Sequence, residues 1–145
     1  INFLPKEIKT DLIFISNNKR YDKFVNNMDK EKIIVTSNIK EADKNLLIVN
    51  YSNLLNTSKT VSDNAGLMLI KLLINLNIRN ISIAGMDGFN KNLANNYVYE
   101  DMVGTIDSYQ IETKNNKMRE QISNFSKMIN IKFITPSKYI EGNEK

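Results

Sequence analysis

The sequence predicts an α/β fold in which a mainly parallel sheet of about five strands carries helices on both of its faces. Short apolar runs without polar alternation recur along the chain, and such runs are typical of strands buried on both faces. Segments with helical spacing of apolar residues separate several of these runs. Strands that alternate with helices build right-handed βαβ units, which makes their sheet parallel.

The predicted strands share a high content of isoleucine, valine and leucine. They comprise residues 12–15, 33–35, 46–49, 81–84 and 131–134. No repeat or linker divides the 145 residues, so residues 1–145 are predicted to form a single Rossmann-like domain. The chain begins with Ile1 and not with Met, and we expect it to be the C-terminal fragment of a longer protein.

Three segments have the apolar periodicity of helices. The first covers residues 20–29. The second and clearest follows Asp63, and either Ser62 or Asp63 is the expected N-cap. Its predicted inward stripe comprises Leu69, Leu72, Leu73 and Leu76. The third covers about residues 117–130, with inward side chains expected at Met118, Ile122, Phe125, Met128 and Ile129.

The polar segment of residues 90–116 has no strong period. Two interpretations stay open for it: a long functional loop, or a loop that includes a short hairpin around the sequence YQIET at residues 109–113.

Composition excludes several kinds of chemistry. The chain has no cysteine and no histidine, which rules out disulfides, thiolate nucleophiles, Cys/His zinc sites and imidazole proton transfer. The net charge of +4 comes from lysines interleaved with acids, which indicates a solvated surface, and we expect no nucleic-acid partner. No apolar stretch is long enough to span a bilayer. A cytoplasmic location is expected for such a chain.

Polar residues follow every predicted strand. The carboxyl ends of parallel strands lie along one edge of the sheet, where ligands of α/β proteins bind. Serine and asparagine also favour turns and caps, which is the competing explanation. The candidate ligand-binding residues are Ser16, Asn17, Arg20, Ser37, Asn38, Asp63, Asn64, Gly66, Gly85, Asp87 and Gly88.

Asp63, Asn64 and Gly66 open the clearest helix, whose N-terminus would suit a phosphate or a carboxylate. Asp87 stands between two glycines after a predicted strand, and it either contacts a ligand hydroxyl or closes the turn. We predict that these four residues line one shared pocket. Arg20 is expected either to pair with a ligand phosphate or to be a surface arginine at a helix start.

Five segments of the chain carry a family resemblance. They read DLIFISNNKRY (residues 11–21), IIVTSN (33–38), DNAGLMLIKLL (63–73), IAGMDGF (83–89) and FITPSKY (133–139). In this order they resemble the C-terminal domain of bacterial HMG-CoA-lyase-like aldolases, also named 4-hydroxy-2-oxovalerate aldolases, from surface-polysaccharide gene clusters. A wider resemblance is to sialyltransferase-type Rossmann-like domains.

The resemblance implies an accessory domain that binds a nucleotide, a sugar or a sugar-phosphate beside the N-terminal catalytic domain of a parent chain. It does not carry over the aldolase chemistry, which uses a divalent metal held by Asp and His on a barrel, because this chain has no histidine. We therefore expect no catalysis and no bound cofactor in the fragment alone.

Two further interpretations stay open. The first is a truncated glycosyltransferase-like domain that lacks its donor-site loop. The second is a structural assembly domain with Tyr97, Tyr99 and Tyr109 on a contact surface, which would be marked by an exposed apolar patch. An oligomer is compatible with the sequence.

Overall fold

The computed structural model describes residues 1–2, 8–90 and 110–140. The chain falls into two compact units. The first unit comprises Ile1–Leu55 and Asp63–Leu69, and the second comprises Asn56–Ser62 and Ile70–Lys145.

The first unit is built on a three-stranded parallel sheet with the strand order β1–β2–β3. Its elements are β1 (Ile13–Ile15), α1 (Asn18–Phe24), β2 (Ile33–Thr36), β3 (Leu47–Val49) and α2 (Tyr51–Leu54). The register places Ile15 beside Val35 and Val35 beside Ile48. The parallel pairing confirms this part of the sequence prediction.

Burial differs between the two edge strands of this sheet. All three residues of β1 are buried, as predicted. In β3, however, Leu47 is 57% exposed and Ile48 is 49% exposed, so this strand is not covered on both faces as its apolar sequence suggests. Helix α1 begins at Asn18 because the Asn17 side chain accepts the Arg20 backbone N–H, and it ends at Phe24, earlier than predicted.

Helix α3 (Ala65–Asn75) contributes residues to both units. Its cap is Asn64, whose Oδ1 accepts the Leu67 N–H at 3.1 Å, so the prediction of Ser62 or Asp63 as the N-cap is wrong. The side chain one residue closer to the helix is the one that reaches the free N–H groups of the first turn.

The end of α3 is a Schellman motif. Asn77 has a φ of +59°, and the Ile78 N–H donates to Leu73 O at 3.0 Å while the Asn77 N–H donates to Ile74 O. Because the helix stops at Asn75, Leu76 does not join the inward stripe and is 61% exposed. The fully or nearly fully buried residues of α3 are Leu67, Met68, Ile70 and Leu72.

The second unit contains β4 (Asn80–Ile83), α4 (Gln110–Phe125) and β5 (Asn130–Phe133). Strands β4 and β5 pair in parallel, with Ile81 beside Ile131. Along both strands exposed residues alternate with half-buried ones. One face of this sheet is therefore open, and the interpretation of these two strands as buried on both faces is corrected.

Helix α4 begins earlier in the chain than predicted. Residues 110–113 are helical, so the hairpin that YQIET allowed does not form there. Met118, Ile122 and Phe125 are buried as predicted. Ile129 is also buried as predicted, although it follows the end of the helix at Phe125, whereas Met128 is 56% exposed and the prediction for it is wrong. The segment of residues 91–109, with Tyr97, Tyr99 and Tyr109, lies outside the described residues.

The described structure is thus mixed α/β, with every predicted apolar run containing a strand. The strands form one parallel sheet of three and one parallel sheet of two, and not the single sheet of about five strands that the sequence predicts. Among residues 1–2, 8–90 and 110–140, no helix has the length and apolar content that a membrane span requires. The single-domain prediction stays a prediction.

Candidate functional site

Side chains at the carboxyl ends of β1 and β2 bind one another. The Ser16 N–H donates to Asn2 Oδ1 at 2.9 Å, and Asn38 Nδ2 donates to Ser16 O at 3.2 Å. Thr36, which is fully buried, donates from Oγ1 to Asn38 Oδ1 at 2.6 Å. The structure thus brings Ser16 and Asn38 together as predicted, and these bonds tie the two strand ends to each other.

The other polar strand ends of the first unit support backbone groups. Ser37 Oγ accepts the Tyr51 N–H at 3.1 Å, which joins the end of β2 to the start of α2. Asn17 caps α1, as described above, and Asn50 caps α2 through the Asn53 N–H. Arg20 lies in the first turn of α1 with a half-buried side chain. Its role toward a phosphate stays a prediction.

The start of α3 holds three predicted residues. Asn64 is the cap, and Gly66 lies in the first turn with a φ outside the left-handed region. Asp63 is exposed. Burial, and then the negative charge of Asp63, raise the pKa of Tyr51. Tyr51 was not among the predicted site residues, although it directly follows the polar end of β3.

In the second unit the turn after β4, residues 85–88, lies against the turn after β5. Gly85 has a φ of +72°, and its N–H donates to Thr135 Oγ1 at 3.0 Å. The same hydroxyl donates to Asp87 Oδ1 at 3.3 Å. One threonine hydroxyl therefore orients both the glycine backbone and the Asp87 carboxylate.

Two more hydrogen bonds join these turns. The Lys138 N–H donates to Asp87 O at 2.9 Å, and Ser137 Oγ donates to Met86 O at 2.7 Å. Gly88 has a φ of +104°, and a Cβ at this position would lie 2.9 Å from the Lys138 Cβ. Only glycine fits at position 88 without strain, because the positive φ disfavours residues with a side chain and because Lys138 occupies the space of a Cβ.

The residue after this turn is held by α4. The buried Asn115 accepts the Phe89 N–H at Oδ1 and donates from Nδ2 to Phe89 O, both at 2.9 Å. Lys138 Nζ also donates to Phe89 O at 3.0 Å. Arg119 donates through Nε and a terminal nitrogen to Lys138 O. Both turns are thus anchored on one helix.

Tyr139 completes this edge of the second sheet. It is 6% exposed. Burial, and then the negative charge of Asp87, raise the pKa of its phenol strongly, further above neutrality than that of an ordinary tyrosine. Asp87 itself is exposed, and its Oδ2 receives no hydrogen bond from the described residues.

The predicted site residues divide between the units. Asp63, Asn64 and Gly66 belong to the first, and Gly85, Asp87 and Gly88 belong to the second. The shared-pocket prediction therefore stays a prediction. The analysis of strand ends missed the partners of the 85–88 turn: Asn115, Thr135, Ser137, Lys138 and Tyr139. The signals for four of them were their position directly after the last predicted strand and their place in the segment FITPSKY, and Asn115 had none.

Within the described residues, no group of three Asp or Glu side chains is placed to hold a metal ion. The chain shows no match to a protein-family model, to a curated protein or to a solved structure. The fold and the polar strand ends define it as an α/β protein with candidate binding residues on both of its parallel sheets.

Proposed function

We propose that this chain is a Rossmann-like accessory domain that binds a nucleotide, a sugar or a sugar-phosphate, and that it serves the catalytic domain of a lyase- or aldolase-type parent protein. The observation that carries the proposal is Asp87, an exposed carboxylate that follows the carboxyl end of a parallel strand and is oriented by Thr135. This is the place at which α/β proteins bind ligands.

The chemistry of Asp87 favours a ligand with hydroxyl groups. A carboxylate accepts hydrogen bonds from hydroxyls and repels anions. Its one hydrogen bond to Thr135 leaves acceptor capacity on both oxygens, since each carboxylate oxygen has two lone pairs. The resemblance of IAGMDGF and FITPSKY to domains from surface-polysaccharide clusters supports the same class of ligand.

A phosphate of the ligand would need a different part of the chain. Arg20 in the first turn of α1 and the N-terminus of α3 are the groups in the first unit that suit an anion. If they serve a phosphate, Arg20→Ala weakens the binding of a nucleotide or a sugar-phosphate and leaves the melting temperature nearly unchanged.

Titration calorimetry tests the proposal with three probes: UDP-glucose, UDP and glucose 1-phosphate. We expect saturable binding of at least one probe and a weaker affinity after Asp87→Asn. Asp22→Asn, on the exposed face of α1, is the matched control and leaves affinity unchanged. Absence of binding by all three probes at millimolar concentration would contradict the proposed function.

A second function, assembly, is favoured by exposed apolar side chains where β4 and β5 begin. Leu76, Ile78 and Met128 are 61%, 40% and 56% exposed, and all three precede the paired strands. Such a patch is typical of an interaction surface. Sedimentation equilibrium of the chain and of Met128→Asp tests it, with Ile134→Asp after β5 as the control. A monomeric wild-type chain argues against self-assembly.

A further inference from the structure

We propose that Asp87 and Tyr139 together bind a vicinal diol, meaning two neighbouring hydroxyl groups of a sugar ring. Asp87 accepts a hydrogen bond from one hydroxyl and Tyr139 donates to the other. This inference rests on the proposed function, because it names the ligand feature that the same site recognises and adds Tyr139 as a binding residue.

The two residues lie on adjacent turns of the second sheet, and the charge of Asp87 acts on the Tyr139 phenol. Ile83 at the end of β4 lies beside Phe133 at the end of β5, so the turns that follow run together. The Lys138 N–H donates to Asp87 O, which places the residue before Tyr139 directly against Asp87.

Hydrogen bonds on both sides hold this pair in place. Thr135 Oγ1 donates to the Asp87 carboxylate. The Tyr139 N–H donates to Ser137 Oγ at 3.2 Å, and that hydroxyl donates to Met86 O. The Tyr139 ring is buried. A site with little freedom left to lose on binding is preorganised for a ligand.

The donor and acceptor pattern of the pair matches a diol. The Tyr139 hydroxyl makes no hydrogen bond to the described residues, and a tyrosine phenol is protonated at neutral pH, so it can donate. Asp87 supplies only acceptors when ionised. One sugar hydroxyl can therefore donate to Asp87 while its neighbour accepts from Tyr139, which neither a phosphate nor an ammonium group can do.

The backbone of this turn is accessible at Gly85. A Cβ built there would meet no heavy atom within 4 Å. A sugar ring can approach the main chain there because glycine carries no side chain. The same diol occurs in the ribose of a nucleotide and in a hexose, and the experiment must separate these two sources.

The test is calorimetry of the wild-type chain, Tyr139→Phe and Asp87→Asn with two pairs of probes. Glucose 1-phosphate is compared with 3-deoxyglucose 1-phosphate, which lacks the hydroxyl shared by both vicinal diols of the ring, and UDP with 2′-deoxy-UDP. We expect Tyr139→Phe to weaken binding of the diol probe about three- to ten-fold and Asp87→Asn about ten-fold or more. The pair of probes that responds identifies hexose or ribose as the source.

The deoxy probes distinguish binding from a structural effect. If the pair holds the diol, the wild-type chain binds the deoxy probe more weakly than the parent probe. A variant that lacks the side chain bonded to that hydroxyl should bind the two probes with nearly equal affinity. Asp22→Asn, on the exposed face of α1, is the control and leaves both affinities unchanged. Melting temperatures report whether each variant is folded, and Asp87→Asn, which keeps the side-chain size, decides the result if Tyr139→Phe does not fold.

Two results overturn the inference and differ in what they leave standing. If the wild-type chain binds a probe and both variants bind it and its deoxy analogue equally well, the diol inference is wrong and the proposed function stands. If the wild-type chain binds none of the probes, both fall.

Discussion

Replacing Gly88 with alanine tests the geometry of the 85–88 turn most directly. Gly88 has a φ of +104°, and an added Cβ would lie 2.9, 3.0 and 3.1 Å from Cβ, Cδ and Cγ of Lys138. The outer atoms of the lysine can rotate away. The Lys138 Cβ cannot, because the backbone of this residue is held by its N–H bond to Asp87 O and by Arg119 at its carbonyl.

Two effects add in Gly88→Ala. A non-glycine residue in this part of conformational space costs about 1–3 kcal/mol, and forcing a methyl group into occupied space costs about 1–3 kcal/mol more. We therefore expect a loss of about 2–6 kcal/mol in the free energy of unfolding. Gly85→Ala is the control: its φ is +72°, and nothing lies within 4 Å of the added atom, so only the conformational term of about 1–2 kcal/mol remains.

Urea denaturation followed by circular dichroism measures both losses. The double variant Gly88→Ala/Lys138→Gly removes the atoms that clash, so it should be less destabilised than the sum of the two single changes. Equal losses in Gly88→Ala and Gly85→Ala, or an additive double variant, would refute the close contact between Gly88 and Lys138.

Three further predictions concern named hydrogen bonds and one titration. Burial and the charge of Asp87 raise the pKa of Tyr139, so at alkaline pH the folded chain keeps a proton that the unfolded chain releases. This contribution to stability is complete below pH about 10 and is lost as the pH rises through the folded pKa. Tyr139→Phe should therefore lose less stability than the wild-type chain in alkaline denaturation. Asn115→Ala removes the side-chain acceptor of the Phe89 N–H and leaves Phe89 O with its bond from Lys138 Nζ, and it should lower the free energy of unfolding by about 1–3 kcal/mol. Asn64→Ala removes the cap of α3 and should cost about 1 kcal/mol, measured by urea denaturation.

Neighbouring residues provide the controls. Asn116 is exposed, and within the described part of the chain its side chain bonds Arg119, so Asn116→Ala should change stability by less than about 0.5 kcal/mol. Asp63→Ala should cost less than loss of the Asn64 cap, and the reverse order would contradict the assignment of the cap. An equally steep alkaline loss in wild type and Tyr139→Phe would contradict the titration argument.

Several local features could be predicted because their cause is local. The apolar runs mark the positions of the strands, since burial of isoleucine and valine drives their formation. The clearest helix follows Asp63 as predicted, but its cap is Asn64, because neighbouring polar residues such as Ser62, Asp63 and Asn64 all suit a helix start and only the backbone path selects one.

Burial of whole strands and side chains could not be predicted in the same way. Ile48 belongs to as apolar a run as Ile33, yet it is half exposed while Ile33 is fully buried. Met128 continues the periodicity of α4 but follows its last residue. Exposure depends on which elements pack over a residue, and periodicity along the chain carries that information only while a helix continues.

The sequence by itself determined the strand positions, the parallel α/β class and the candidate carboxylate between two glycines. Only the tertiary structure decided what those glycines do. Thr135 and Lys138 are about fifty residues away in the chain and show no motif that pairs them with the 85–88 turn, yet their hydroxyl and backbone groups orient Asp87 and occupy the space beside Gly88. Contacts between distant segments arise from the pairing of β4 with β5, which depends on the packing of the whole unit and not on the residues of either turn.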